Sequence, residues 1–200
     1  MIPMVVIAAL VVSFLTILGN VKYLKGIIQG QVIPTKATWI IFCTVTSLSV
    51  SSFLTVRFDL VSGAGVVTDF SVASLVLLTT LIKFRREKLR LNSFEKYYLL
   101  AACGCLVFWL LSSNPFVTNI LVQMLLTLGY IPTIHNILVT KRSTESKFAW
   151  SMWILATVLS FYPALVNHNF LALIYASRGL VMGSTVLALT FKFPALPRIS

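Results

Sequence analysis

LGYIPTIHNILVTKRSTESKFAW, residues 128–150, echoes LGNVKYLKGIIQGQVIPTKATW, residues 18–39. At an offset of 110, Leu18-Gly19 falls on Leu128-Gly129 and Ile27 on Ile137. One inserted residue moves the offset to 111, so that Lys36 matches Lys147 and Trp39 matches Trp150. Thr46, Leu48 and Ser49 then fall on Thr157, Leu159 and Ser160. A period above 100 residues is too long for a solenoid unit, which spans about 20–50 residues. The chain reads as two copies of one unit.

Working outward from this echo, composition sets the solvent. The 200 residues are 58% hydrophobic and 10% charged, against about 25% charged in globular domains. Little of such a surface can face water, so the expectation is an all-α, polytopic membrane protein. Seven apolar segments, at 3–22, 35–56, 60–83, 96–112, 116–139, 146–166 and 169–191, are long enough for a hydrocarbon core of about 30 Å. Pro34, Pro115 and Asn167 sit in or beside the short connections as breakers. The first segment lacks the basic n-region of a secretory signal, so it reads as a mature helix. Three parts follow: a first three-helix repeat at 1–84, a basic loop and linker helix at 85–113, and a second three-helix repeat at 114–200.

Lys and Arg decide the orientation. Lys22, Lys25 and Lys36 follow the first helix, and Lys83, Arg85, Arg86, Lys88, Arg90 and Lys96 follow the third. Lys141, Arg142 and Lys147 follow the fifth, and the tail holds Lys192 and Arg198. With seven alternating helices, these 14 of the 16 basic residues share one side, and only Arg57 beside Asp59 lies opposite. The positive-inside rule puts the N-terminus outside and the C-terminus in the cytoplasm, in a plasma (inner) membrane. A net charge of +11 would suggest nucleic acid in a soluble chain; this one-sided distribution argues against that partner. The run from Lys83 to Lys96 suits anionic lipid head groups, with simple topology determination as the equal rival.

Three crossings are an odd number, so the fourth helix restores the orientation and makes the copies parallel. They are then related by a pseudo-two-fold axis along the membrane normal. Three helices, a linker helix and three helices resemble the PQ-loop superfamily, which includes the SWEET-type sugar carriers and lysosomal amino-acid exporters. Gly129-Tyr130-Ile131-Pro132-Thr133 resembles the family's helix-kinking Pro-Gln segment, and Lys141-Arg142-Ser143-Thr144 its basic, Ser-rich turn. Thr133 stands where Gln is usual, and Lys22 and Tyr23 replace the pair in the first copy.

Two charges fall inside apolar helices: Asp69 in the third and Arg178 in the seventh. Aligned on Lys83-Phe84 and Lys192-Phe193 at an offset of 109, Asp69 falls on Arg178, each 14 residues before its lysine. That spacing places both roughly 21 Å from the cytoplasmic end. An isolated charge there costs about 2.5–3.5 kcal/mol on insertion scales, so both are expected to face inward. In SWEET-type carriers, the resemblance implies, a polar residue on the third helix of each copy contacts the sugar. Asp69 and Arg178 are assigned that place, for a polar or zwitterionic solute. The rival reading is a buried salt bridge, whose one-sided removal costs about 3–5 kcal/mol.

Ser49 and Ser160 match on the second and sixth helices, with Phe53 and Tyr162 nearby as a flat wall; ordinary packing is the favoured reading. Asn119 and Gln123, four apart on the fifth helix, share one face and suit cavity lining or interhelical hydrogen bonds. Trp39, Trp150 and Trp153 read as interfacial anchors. Pro132 removes a backbone hydrogen bond inside the fifth helix and permits a hinge there.

No enzyme, cofactor or metal signal accompanies these features. Cys43, Cys103 and Cys105 lie in apolar helices, and Cys103 and Cys105 point about 200° apart. His135 and His168 lie near opposite faces, with no second ligand at helical spacing. The expected function is a transporter of a small polar solute (a sugar, an amino acid or similar metabolite) by alternating access; assembly as a homo-oligomer is compatible with it. The alternatives are a non-transporting receptor of the same fold and a structural membrane subunit.

Overall fold

The computed structural model describes residues 4–56, 60–85, 93–111, 115–168 and 170–195. Among the described residues the chain is all-helical: α1 (Met4–Ile28), α2 (Lys36–Val56), α3 (Leu60–Lys83), α4 (Ser93–Leu111), α5 (Pro115–Thr140), α6 (Lys147–Val166) and α7 (Phe170–Lys192). A bridge between Ser143 and Ala195 is isolated and belongs to no strand. By length and composition, Met4–Ile28, Ile120–Thr140, Lys147–Val166 and Ala172–Lys192 are long and apolar enough to cross a membrane.

Helix ends fall close to the apolar segments, with one clear difference. α1 continues to Ile28, well past the end of its apolar run, and takes in Lys22 and Lys25. Both lysines are exposed, while Tyr23, Gly26 and Ile27 are buried. Long basic side chains leave a helix intact when their heads reach solvent. What ends α1 is backbone geometry. Gly30 takes φ 67, and the amides of Gln31 and Val32 both donate to the Gly26 carbonyl, which is how a left-handed residue closes a helix. α6 starts on Ser146, whose Oγ accepts from the Ala149 amide at 3.3 Å, a cap worth about 1 kcal/mol.

The described structure divides into two compact units, Met1–Ile33 with Ile134–Ser200, and Pro34–Thr133. This division differs from the cut at 1–84 and 114–200 expected from the repeat. In the first unit α1 packs along α6, and α6 on α7. In the second α2 packs on α3 and touches α4, and Ile41 and Val45 of α2 form a core with Leu125 and Leu126 of α5. One unit therefore pairs α1 with α6, and the other pairs α2 with α5.

The same joint is built twice. In the first unit a Cβ on Gly19 would lie 2.9 Å from Trp153 Nε1 and 3.3 Å from the Ala149 carbonyl oxygen. In the second a Cβ on Gly129 would meet the Phe42 ring, with Cδ1 at 2.7 Å. The Leu-Gly pair that opens the sequence echo is thus a seat for an aromatic ring, and only a residue without a side chain lets the ring approach so closely. Trp153 stands edge-on to Trp150 at 5.0 Å and Phe42 edge-on to Trp39 at 5.6 Å. One turn on, Thr157 Oγ1 donates to the Trp153 carbonyl and Thr46 Oγ1 to that of Phe42.

α3 and α7 also share a burial pattern. Residues 71–80 and 181–190 have the same order of buried, half-buried and exposed positions. Val76 and Val186 are fully buried, as are Thr80 and Thr190, whose hydroxyls donate to Val76 and Val186 carbonyls respectively. This register is an offset of 110, not the 109 obtained from the interfacial lysines. Asp69 consequently corresponds to Gly179, and Arg178 to Thr68. The two charges are one residue out of register, about 100° around the helix and about 1.5 Å along it.

Candidate functional site

The turn from α5 into α6 carries a tightly held polar cluster. The Ser143 amide donates to the Pro194 carbonyl beyond α7, and the Ile33 amide, beyond α1, donates to the Thr144 carbonyl. The turn thereby collects the ends of α1, α6 and α7. Glu145 lies inside it, 8% exposed. Tyr23 OH, from α1, donates to Glu145 Oε2 at 2.7 Å, and Trp150 Nε1, from α6, donates to the same oxygen at 2.9 Å.

Burial pushes the Glu145 carboxyl above the ordinary carboxylate range, against the two hydrogen bonds, from Trp150 and Tyr23, that pull it down. Desolvation of the charged form outweighs them. Both donors converge on one carboxyl oxygen, Oε2. The neighbouring joint is polar too. Trp153 Nε1 donates to Asn20 Oδ1 at 3.0 Å, and the Tyr23 and Trp153 rings lie 5.1 Å apart. Asn20 Nδ2 and Thr144 Oγ1 are buried with no hydrogen-bond partner among the described residues.

The second unit fills the corresponding place differently. Thr133, at the position of Tyr23, shares a 2.8 Å hydrogen bond with Thr38, and Pro34, at the position of Glu145, is buried. Phe42 packs on Tyr130 at 5.1 Å where Trp153 meets Asn20. Lys36 Nζ donates to the Phe84 carbonyl at 3.4 Å, past the end of α3, a favourable place for a cation.

The residues expected to bind solute are distributed over both units. Asp69, half-buried on α3, belongs to Pro34–Thr133, and Arg178, half-buried on α7, to the other unit, its guanidinium 4.8 Å from the Tyr175 ring centre. Gln123 is buried on α5. Ser160 is half-buried and donates to the Thr157 carbonyl at 2.6 Å, which spends its proton within its own helix. Tyr162 is 44% exposed. The side chains of Ser49, Phe53 and Asn119 lie outside the described residues, as does most of the basic run between Lys83 and Lys96. Pro132 is buried within α5, one residue before the last position of the second unit. Trp39 and Trp150 are each only 5% exposed, so these two indoles are packing residues more than surface anchors.

Glu145 carries little signal in the sequence, where it stands as one acid among Lys141, Arg142 and Lys147. The signal was its repeat partner: Pro34 at the matching place marks a position without a charge requirement. Among the described residues no group of three or more His, Cys, Asp and Glu is placed to hold a metal ion. Comparison with known proteins finds no matching family model, no matching curated protein and no matching solved structure.

Proposed function

We propose that this chain is an integral membrane protein of the PQ-loop, SWEET-like kind that moves a small polar solute by alternating access, N-terminus outside and C-terminus cytoplasmic. Membrane residence is supported by α1. Its half-buried and buried positions form a single stripe, while Met4, Leu10, Phe14, Ile17 and Val21 lie exposed on the remaining faces. Water opposes such a surface, and hydrocarbon does not.

The observation that carries transport is the twofold recurrence of one packing scheme, ring on glycine with Val and Thr buried at the same register. Two like units within one chain are the construction on which carriers with repeats work. The chain passes between the units at Ile33–Pro34 and Thr133–Ile134, each beside a proline. Pro132 removes the amide that would hold α5 straight at the second passage. Each unit also places one charge within its third helix, Asp69 on α3 and Arg178 on α7, and ionisable groups at that depth mark solute or ion pathways.

The test is flux. Purified protein reconstituted in vesicles is assayed with labelled sugars, amino acids and vitamins chosen by a ligand thermal-shift screen. Saturable uptake is expected, falling at least about tenfold in Asp69→Asn and in Arg178→Gln, equivalent to about 1.4 kcal/mol of barrier. Saturable binding without flux sinks the carrier reading in favour of a receptor.

A further inference from the structure

Where α1 ends on Gly30 at φ 67, α5 ends on Lys141 at φ 53, and these positions correspond at the repeat offset of 111. The left-handed region suits glycine and strains a residue with a Cβ. One copy has the relaxed residue, while the other keeps a lysine in a conformation that works against it. Strain retained in this way points to a task for the side chain.

The surroundings indicate the task. Lys141 Nζ lies 5.4 Å and Lys192 Nζ 5.7 Å from the centre of the same Phe193 ring, and Lys147 Nζ lies 5.0 Å from that of Phe191. All three lysines and Arg142 are exposed. The ring attracts each ammonium group, and so concentrates two like charges at one place. Lys147 stands in the first turn of α6, which holds no acidic residue, so the helix's positive end also disfavours it. The sole acidic residue in the sequence of this unit is Glu145, which is buried and faces Tyr23 and Trp150. Within this unit the cations therefore gather with no second carboxylate to answer them.

We infer that Lys141, Arg142, Lys147 and Lys192 form a binding surface for the head group of an anionic phospholipid. The phosphate settles among the ammonium groups, relieving their repulsion, and the acyl chains run along the exposed apolar face of α7. Phe191, 60% exposed between the cations and that face, is placed where head group passes into chain. This apolar continuation favours a lipid over free phosphate. The surface is distinct from the run between Lys83 and Lys96. It rests on the membrane part of the proposed function and requires no transport.

The experiment follows the thermal unfolding of the full chain in neutral detergent while phosphatidylglycerol, phosphatidylcholine or inorganic phosphate is added. Native mass spectrometry counts the retained lipid. Phosphatidylglycerol is expected to raise the melting temperature, and the other two to leave it unchanged. Lys141→Gly is the discriminating variant, because relief of backbone strain raises its lipid-free melting temperature while the lipid-induced rise falls to half or less. Lys141→Gln with Lys147→Gln and Lys192→Gln removes the rise, and Lys83→Gln with Lys96→Gln preserves it. An equal response to inorganic phosphate, or a full lipid response in Lys141→Gly, overturns the proposal. Should the triple variant fail to fold, the glycine variant decides alone. Absence of solute flux leaves this result standing.

Discussion

Replacing Glu145 by glutamine and by alanine asks what holds the α5–α6 turn. Alanine strips the acceptor from Tyr23 OH and Trp150 Nε1, which sit on residues 0% and 5% exposed. A buried donor deprived of its acceptor costs about 1–3 kcal/mol, or about 2–6 kcal/mol for the two. At roughly 2–4 °C per kcal/mol for a chain of this size, the alanine variant should melt some 5–20 °C lower. Glutamine offers one carbonyl oxygen to both donors and an amide in place of the carboxyl proton, so it should stay within about 1 kcal/mol of the native protein. The pH dependence is sharper still. Because burial raises the folded-state pKa of Glu145, the unfolded carboxyl ionises first as pH rises. Its contribution is complete below the unfolded pKa and is lost as pH climbs through the folded one, at about 1.36 kcal/mol for each unit of separation. Circular dichroism melts in detergent, from about pH 4 to about pH 8, should show native stability declining relative to a flatter glutamine variant. A native protein that gains stability over the glutamine variant as pH rises would refute the raised carboxyl pKa. Glutamine melting as low as alanine would refute the shared-acceptor geometry.

Alanine at Gly19 or Gly129 should lower stability by about 1–3 kcal/mol through overpacking against Trp153 or Phe42, whereas Gly104→Ala, with nothing within 4 Å of its Cβ, should gain the usual ~0.5–1 kcal/mol; thermal melts that rank the three otherwise would contradict the ring-on-glycine joint. Pro132→Ala restores a backbone hydrogen bond within α5, so its melting temperature should rise while solute flux in vesicles slows. Unaltered transport kinetics would dismiss the hinge.

Much of the helical order was legible because apolar runs and breakers coincide with helix ends. α1 overran its expected end at residue 22 because Lys22 and Lys25 project from its exposed face and leave the buried face of Tyr23, Gly26 and Ile27 unbroken. The Leu-Gly pairs and the tryptophans are legible as an echo in the sequence, but their packing is not, since a glycine motif does not say which ring it will seat. Nor did the sequence say that α1 would pack on α6. Both copies present equivalent second helices, and periodicity cannot distinguish them. The lysines Lys83 and Lys192 match Asp69 to Arg178 at an offset of 109, whereas the burial order of α3 and α7 matches at 110, and flexible side chains tolerate such a slip. Thr80 and Thr190, fully buried, tolerate none and are the better anchors. Glu145 is hidden because its raised pKa comes from burial, a property of the folded turn that its basic neighbours in sequence conceal.

The pairing of α1 with α6 bears on how the molecule is made. Tyr23 emerges from the ribosome 122 residues before Glu145, so the first helix must wait through most of synthesis for the partner that covers it. Contacts this distant along a chain form late and slowly. Expressed as separate halves, neither product would contain a complete joint, and the nascent protein has reason to recruit help until its sixth helix arrives.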